Sequence, residues 1–152
     1  MSNYKATISW QRNGGDLLTG KYSRAHIWKF DGGLEVPASA SPQIVPFPWS
    51  REENVDPEEA FIASLSSCHM LFYLSLAAEQ GFQVDTYEDC AVGKMARNRQ
   101  GKYIVSEVEL NPRISHSGDL IPDKAAKDTL HHQANDQCFI ANSVKTKVKI
   151  NL

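Results

Sequence analysis

Three cysteines, at positions 68, 90 and 138, carry the widest range of chemistry in this chain. A cysteine thiolate can attack peroxides, acyl groups and disulfides, or ligate a metal. A buried cysteine is by default only a small apolar side chain, so each needs a specific reason to be reactive. Cys68 lies inside a long apolar run that begins at Asp56-Pro57-Glu58-Glu59. Eleven residues separate it from Pro57, which is about 16 Å of helix rise. The positive helix end acts only within the first turn and cannot ionise a thiol at that depth. A reactive Cys68 therefore needs a cationic neighbour. Its own helix offers only His69, which points about 100° away, so an arginine from elsewhere is required. Cys138 ends an expected second helix, and Cys90 falls in an expected strand with nothing further around it.

The five histidines invite two other readings. Structural zinc sites pair their ligands at short fixed spacings such as Cys-x2-Cys. His116, His131, His132, Cys90 and Cys138 show no such pairing, and no metal or other cofactor is expected. Cys68-His69 resembles a hydrolase dyad, but adjacent helical residues diverge and cannot share the needed hydrogen bond. His69 is expected to be a buried polar group with a partner.

The elements follow from pattern and punctuation. Tyr4 to Arg12 alternates and ends at Asn13-Gly14-Gly15, as a half-buried strand does. His26, Trp28 and Phe30 alternate into Asp31-Gly32-Gly33, a tight hairpin leading to Leu34–Val36. Residues 37–55 hold four prolines and form a long irregular connection, of the kind that is often functional. Asp56 can cap a helix, Pro57 suits its first position, and Glu58 and Glu59 complement its positive end. That helix should reach about Gln80 and stop at Gly81. It is apolar on nearly every side; four serines, His69 and the lack of flanking basic residues favour a fully buried helix over a membrane span. Strands are expected at about 84–96 and 102–113, joined by Asn98-Arg99-Gln100-Gly101. A second helix is expected over 122–137 and a last strand over 144–150. The class is α+β, and 152 residues predict one domain, 1–152.

Composition excludes several partners. Hydrophobic residues make up 41% and charged residues 22%, ordinary for a globular chain. Sixteen basic and eighteen acidic residues are dispersed, net −2, so neither nucleic acid nor a membrane surface is expected as a partner. The start, MSNYKATISWQRN, lacks the apolar core of a secretory signal. Three widely spaced cysteines do not build a secreted framework, and a cytoplasmic location is expected.

The run Asp56-Pro57-Glu58-Glu59-Ala60-Phe61-Ile62-Ala63-Ser64-Leu65-Ser66-Ser67-Cys68-His69-Met70-Leu71 resembles the signature helix of the OsmC/Ohr family (osmotically inducible protein C, organic hydroperoxide resistance protein). There a Pro-Glu pair opens the helix and a cysteine follows ten residues after the glutamate, as Cys68 follows Glu58. A second stretch, Leu130-His131-His132 through Cys138-Phe139-Ile140-Ala141-Asn142-Ser143-Val144, resembles the family's second cysteine motif. The resemblance covers the chain from about Arg24 onward, and within it points to the OsmC-like subgroup. It implies antiparallel sheets wrapped around two central helices in an intertwined homodimer. It implies a thiol peroxidase in which Cys68 takes oxygen from an organic hydroperoxide, Cys138 resolves the sulfenic acid as a disulfide, and an external dithiol, of lipoyl type, reduces that disulfide. It further implies an arginine held by Glu58 to stabilise the thiolate. Arg24 takes that place first and Arg51, just before the helix, second. Where this subgroup tends to carry a histidine, Asn135 stands instead.

Glu58 and Cys68 would lie about 15 Å apart along one straight helix and about 80° apart around it. One Glu58 cannot then hold an arginine against Cys68 of the same helix, so either the helix is broken or a second chain completes the site; the intertwined dimer that the resemblance implies is the second case. Leu65, Leu71, Phe72 and Tyr73 around Cys68, with Phe47 and Trp49 from the long connection, suggest an apolar mouth suited to alkyl or lipid hydroperoxides. The competing readings are a ligand-binding or stress-response dimer of the same fold with little peroxidase activity, and acyl transfer through Cys68.

Overall fold

The computed structural model describes residues 1–152. The chain is α+β and divides into two compact units, residues 1–60 and 61–152. In the first, β1 (Ala6–Ser9), β2 (His26–Phe30) and β3 (Glu35–Ala38) form an antiparallel sheet in that order. Trp28 pairs with Ile8 on one side and Val36 on the other. The β2–β3 hairpin turns through Asp31-Gly32-Gly33, where Gly33 takes φ +96°, a left-handed value that glycine tolerates without a Cβ clash. Residues 39–55 run through turns, tied back by Ser39 N–H donating to Val55 O and Val55 N–H donating to Pro37 O.

Helix α1 (Pro57–Glu79) is continuous. Its start is a reciprocal capping box: the Glu59 N–H donates to Asp56 Oδ1 at 2.8 Å, and the Asp56 N–H donates to Glu59 Oε2 at 3.2 Å. It ends at Gly81, whose φ of +82° breaks the helical path. The second unit holds two further sheets. β4 (Gln83–Asp89) pairs antiparallel with β7 (Pro112–Ser117), while β5 (Val92–Arg97) and β8 (Lys147–Ile150) flank β6 (Tyr103–Leu110), antiparallel and parallel respectively. Helix α2 (Lys124–Gln137) starts at Asp123, whose side chain accepts from the Ala126 N–H.

Two long strands expected from the sequence are each cut in two. The segment 84–96 becomes β4 and β5, and 102–113 becomes β6 and β7, with each half in a different sheet. Asp89 sits at the break: its carboxylate accepts from the Asn111 N–H at 2.6 Å and from Ser66 Oγ on α1. Cys90 lies in that break, exposed, rather than inside a strand.

Two apolar clusters hold the second unit. Leu65 packs with Val108 and Leu110, with Ile62, Val105, Val148 and Ile150 around them, joining the first half of α1 to the β5–β6–β8 sheet. Tyr73, Leu76 and Ala77 pack with Leu130 and Ala134, joining the second half to α2 and the β4–β7 pair. The buried residues of α1 are Leu65, His69, Tyr73, Leu76 and Ala77, a stripe at helical spacing. The expected burial on every side is therefore not reached within one chain: Leu71 is 59% exposed. The helix has the length and apolar content of a bilayer span, but one face is committed to protein.

Candidate functional site

Cys68 lies half-buried on the fourth turn of α1, between Leu65 and Tyr73 along the helix. Cys138 is the C-cap of α2, where the backbone leaves the helix with ψ 113°. Its side chain is buried, at 1% exposure. The Ala141 N–H donates to Cys138 Sγ at 3.4 Å, and the Cys68 thiol is close enough to perturb Cys138. Burial pushes the Cys138 thiol up to about 11, helped by the neighbouring Cys68 thiol. Cys138 is therefore held as the protonated thiol at pH 7. Two residues 70 positions apart in sequence are brought together by the crossing of α1 and α2.

Glu58, on the first turn of α1, has Oε2 buried without a hydrogen-bond partner. An unpaired buried carboxylate oxygen is costly and marks a place where a donor belongs. Arg24 precedes β2 in the first unit. Its Nη1 donates to Gly20 O at 2.7 Å and to Tyr22 O at 2.6 Å, and its guanidinium carbon lies 3.6 Å above the Tyr22 ring. His26 secures the backbone there: its Nδ1 donates to Arg24 O at 2.7 Å, because Nε2 already accepts from Trp28 Nε1 at 3.0 Å. Arg24 lines an open, mostly apolar cavity of about 430 Å³ with Ile8, Trp10, Leu17, Tyr22 and His26. Arg51 is exposed and meets only Glu53, at 4.0 Å, a surface contact of little energetic weight.

Of the apolar residues expected at a mouth, Leu65 and Tyr73 are fully buried core residues. Phe72 packs edge-on against Phe139 with ring centroids 5.0 Å apart, and Phe47 is 81% exposed. His69 is buried, and its partner is another histidine: Nε2 lies 2.9 Å from His131 Nδ1. Burial lowers both, His69 to about 4 and His131 to about 4, so both rings are neutral at pH 7. His116 accepts or donates at 3.2 Å with Tyr73 Oη on the far side of the same cluster. No three metal-ligating side chains converge anywhere in the chain. The His69–His131 pair was not read from the sequence. The clue was present in spacing: His131, Ala134 and Cys138 fall on one face of α2, and His69 adjoins Cys68 on α1.

The family model that matches residues 50–152 is that of the OsmC-like proteins. The chain belongs to the OsmC-like family. Among solved structures it is similar to an OsmC-like protein of unknown function from Vibrio cholerae, at 49% identity and a TM-score of 0.97 over 99% of each chain. It shares its fold with an organic hydroperoxide resistance protein OsmC from Legionella pneumophila, at 16% identity and a TM-score of 0.69, over 99% of this chain and 97% of that one. An organic hydroperoxide resistance protein from Elizabethkingia anophelis gives 19% identity and a TM-score of 0.69, over 99% and 93%. No curated protein matches the chain.

Proposed function

We propose that this OsmC-like protein is a thiol peroxidase that reduces organic hydroperoxides to alcohols. The observation that carries the reading is the pair of neighbouring thiols, with Cys68 the more exposed partner and Cys138 buried and protonated. In the first step the Cys68 thiolate attacks the terminal peroxide oxygen. The O–O bond breaks, the alkoxide takes a proton from solvent and leaves as the alcohol, and Cys68 becomes a sulfenic acid. In the second, Cys138 sulfur attacks Cys68 sulfur and hydroxide departs with the Cys138 proton as water. A dithiol, of lipoyl type, then reduces the disulfide by exchange.

Glu58 and Arg24 are assigned to thiolate activation. What supports this is the unpaired Oε2 of Glu58 and the pinned backbone around Arg24. Because α1 is continuous from Pro57 to Glu79, Glu58 and Cys68 of one helix stay about 15 Å apart along the axis. The reading therefore includes a homodimer in which two chains complete each site, working in the reducing cytoplasm. An apolar substrate is favoured by the half-buried Phe72 and the exposed Phe139 and Leu71 near the thiols.

The test is turnover of cumene hydroperoxide with a dithiol, together with a count of free thiols. Two thiols per chain should disappear on oxidation, mass spectrometry should find a Cys68–Cys138 disulfide, and Cys68→Ser should abolish consumption. A wild-type chain that leaves the hydroperoxide untouched would favour the ligand-binding reading instead.

A further inference from the structure

One polar side-chain contact joins α1 to α2: His69 Nε2 to His131 Nδ1 at 2.9 Å, with the ring planes within 4° of parallel. The two side chains are 1% and 3% exposed. Tyr73, one turn beyond His69, lies against the His131 ring with centroids 4.5 Å apart. His69 adjoins Cys68, and His131 lies seven residues, two helical turns, before Cys138. The histidine pair and the thiol pair are thus two pins through one helix crossing.

The chemistry of the pair argues that it is kept for geometry. One of the two facing nitrogens must donate and the other accept. His69 Nδ1 is buried with no partner. If His69 donates from Nε2, only a lone pair is left unpaired; if it accepts, a buried N–H is orphaned, which native structures rarely tolerate. His69 is therefore the donor. Even so, an unpaired buried nitrogen costs about 1–3 kcal/mol, which leucine at the same position would avoid. Buried polar pairs of this kind are best attested as devices that fix register.

We infer that His69 and His131 are positioning residues that hold α1 and α2 in the register where Cys138 sulfur faces Cys68 sulfur, and so favour disulfide formation over further oxidation. The inference rests on the peroxidase reading for its chemistry. The productive step forms S–S, breaks S–O, and passes an electron pair from Cys138 sulfur to Cys68 sulfur, with the Cys138 proton leaving in water. The competing step is attack of the same sulfenic acid on a second hydroperoxide, giving a sulfinic acid and another alcohol. A disulfide needs Cβ atoms about 3.5–4.5 Å apart, whereas a slip of one residue moves a helix about 1.5 Å and turns it about 100°.

The experiment compares the full chain with His69→Leu, His69→Gln, His69→Asn and His131→Asn. Glutamine places its amide nitrogen where Nε2 of His69 stands, asparagine at 131 places an amide oxygen where Nδ1 stands, and asparagine at 69 is too short to reach. After graded cumene hydroperoxide, mass spectrometry reads the ratio of Cys68–Cys138 disulfide to Cys68 sulfinic acid. His69→Leu and His69→Asn should lower that ratio by about 10–100-fold, the scale of a misplacement near 1 Å. His69→Gln and His131→Asn should stay close to the wild type, with first-turnover hydroperoxide loss unchanged in all four. Should His69→Leu fail to fold, the contrast between Gln and Asn at 69 decides. Equal ratios in the Gln and Asn variants would overturn the inference. Disulfide content in a glutathione redox buffer, which needs no peroxide, separates the two claims. If that content falls for His69→Asn and not for His69→Gln while hydroperoxide is ignored, the register claim stands and the peroxidase reading fails.

Discussion

Cys68 stands inside α1 and Cys138 caps the end of α2. Nothing in the spacing 68 to 138 says that two helices cross there; packing of Tyr73 and Ala77 against Leu130 and Ala134 decides it. Glycine gives a second case. Gly93 in β5 lies against Ile62 of α1, so that a Cβ at 93 would sit 2.8 Å from Ile62 Cγ1 and closer still to Cδ1. Its φ is unremarkable, and no turn or motif around it marks the position. Gly93→Ala should lower stability by about 1–3 kcal/mol, the usual cost of overpacking. Urea unfolding of the reduced protein measures it, and an unchanged midpoint would show that Ile62 swings aside freely.

At the scale of elements, helices and hairpins were readable because their punctuation is local. Asp56, Glu59 and Gly81 set the ends of α1 through backbone hydrogen bonds within a few residues. Asp56→Ala should cost about 1 kcal/mol in a thermal or urea melt through the lost cap. The breaks in the two long strands carry no local signal because they depend on distant partners: Asp89 is held by Asn111 and Ser66. The helix crossing gives a further prediction, in pH. His69 and His131 are lowered by burial to about 4 from an ordinary 6.5. Asp89 opposes the shift at His69; Asp128 opposes it at His131, where His132 and His69 add to it. Between pH 6.5 and about 4 the unfolded chain binds these protons and the folded chain does not. Stability from the pair is complete above 6.5 and declines as pH falls towards 4, by on the order of 2–3 kcal/mol per histidine before coupling is allowed for. Denaturant midpoints at pH 7 and pH 5 should differ accordingly, and His69→Gln should flatten the difference.

For the whole molecule, the feature to explain is a helix too apolar for the surface it buries. Mean apolarity around α1 has no favoured side, yet its buried residues form one stripe and Leu71 stands exposed. Large apolar surfaces left open on one chain mark interaction sites. Phe139 at 72% exposure and the unpaired Glu58 Oε2 are of the same kind, one apolar and one polar group short of a partner. A second copy of the chain, as proposed, would supply both needs at once and would also resolve the distance between Glu58 and Cys68 along α1. Light scattering at micromolar concentration should therefore give twice the 17.0 kDa chain mass. The melting temperature should rise with protein concentration, because a partner that binds only folded chain stabilises it by mass action. Leu71→Glu places a charge on the open side of α1 without touching its buried stripe. If it lies at the subunit contact, this variant should run at the monomer mass and lose the concentration dependence, whereas a dimer left intact would move the contact to another surface.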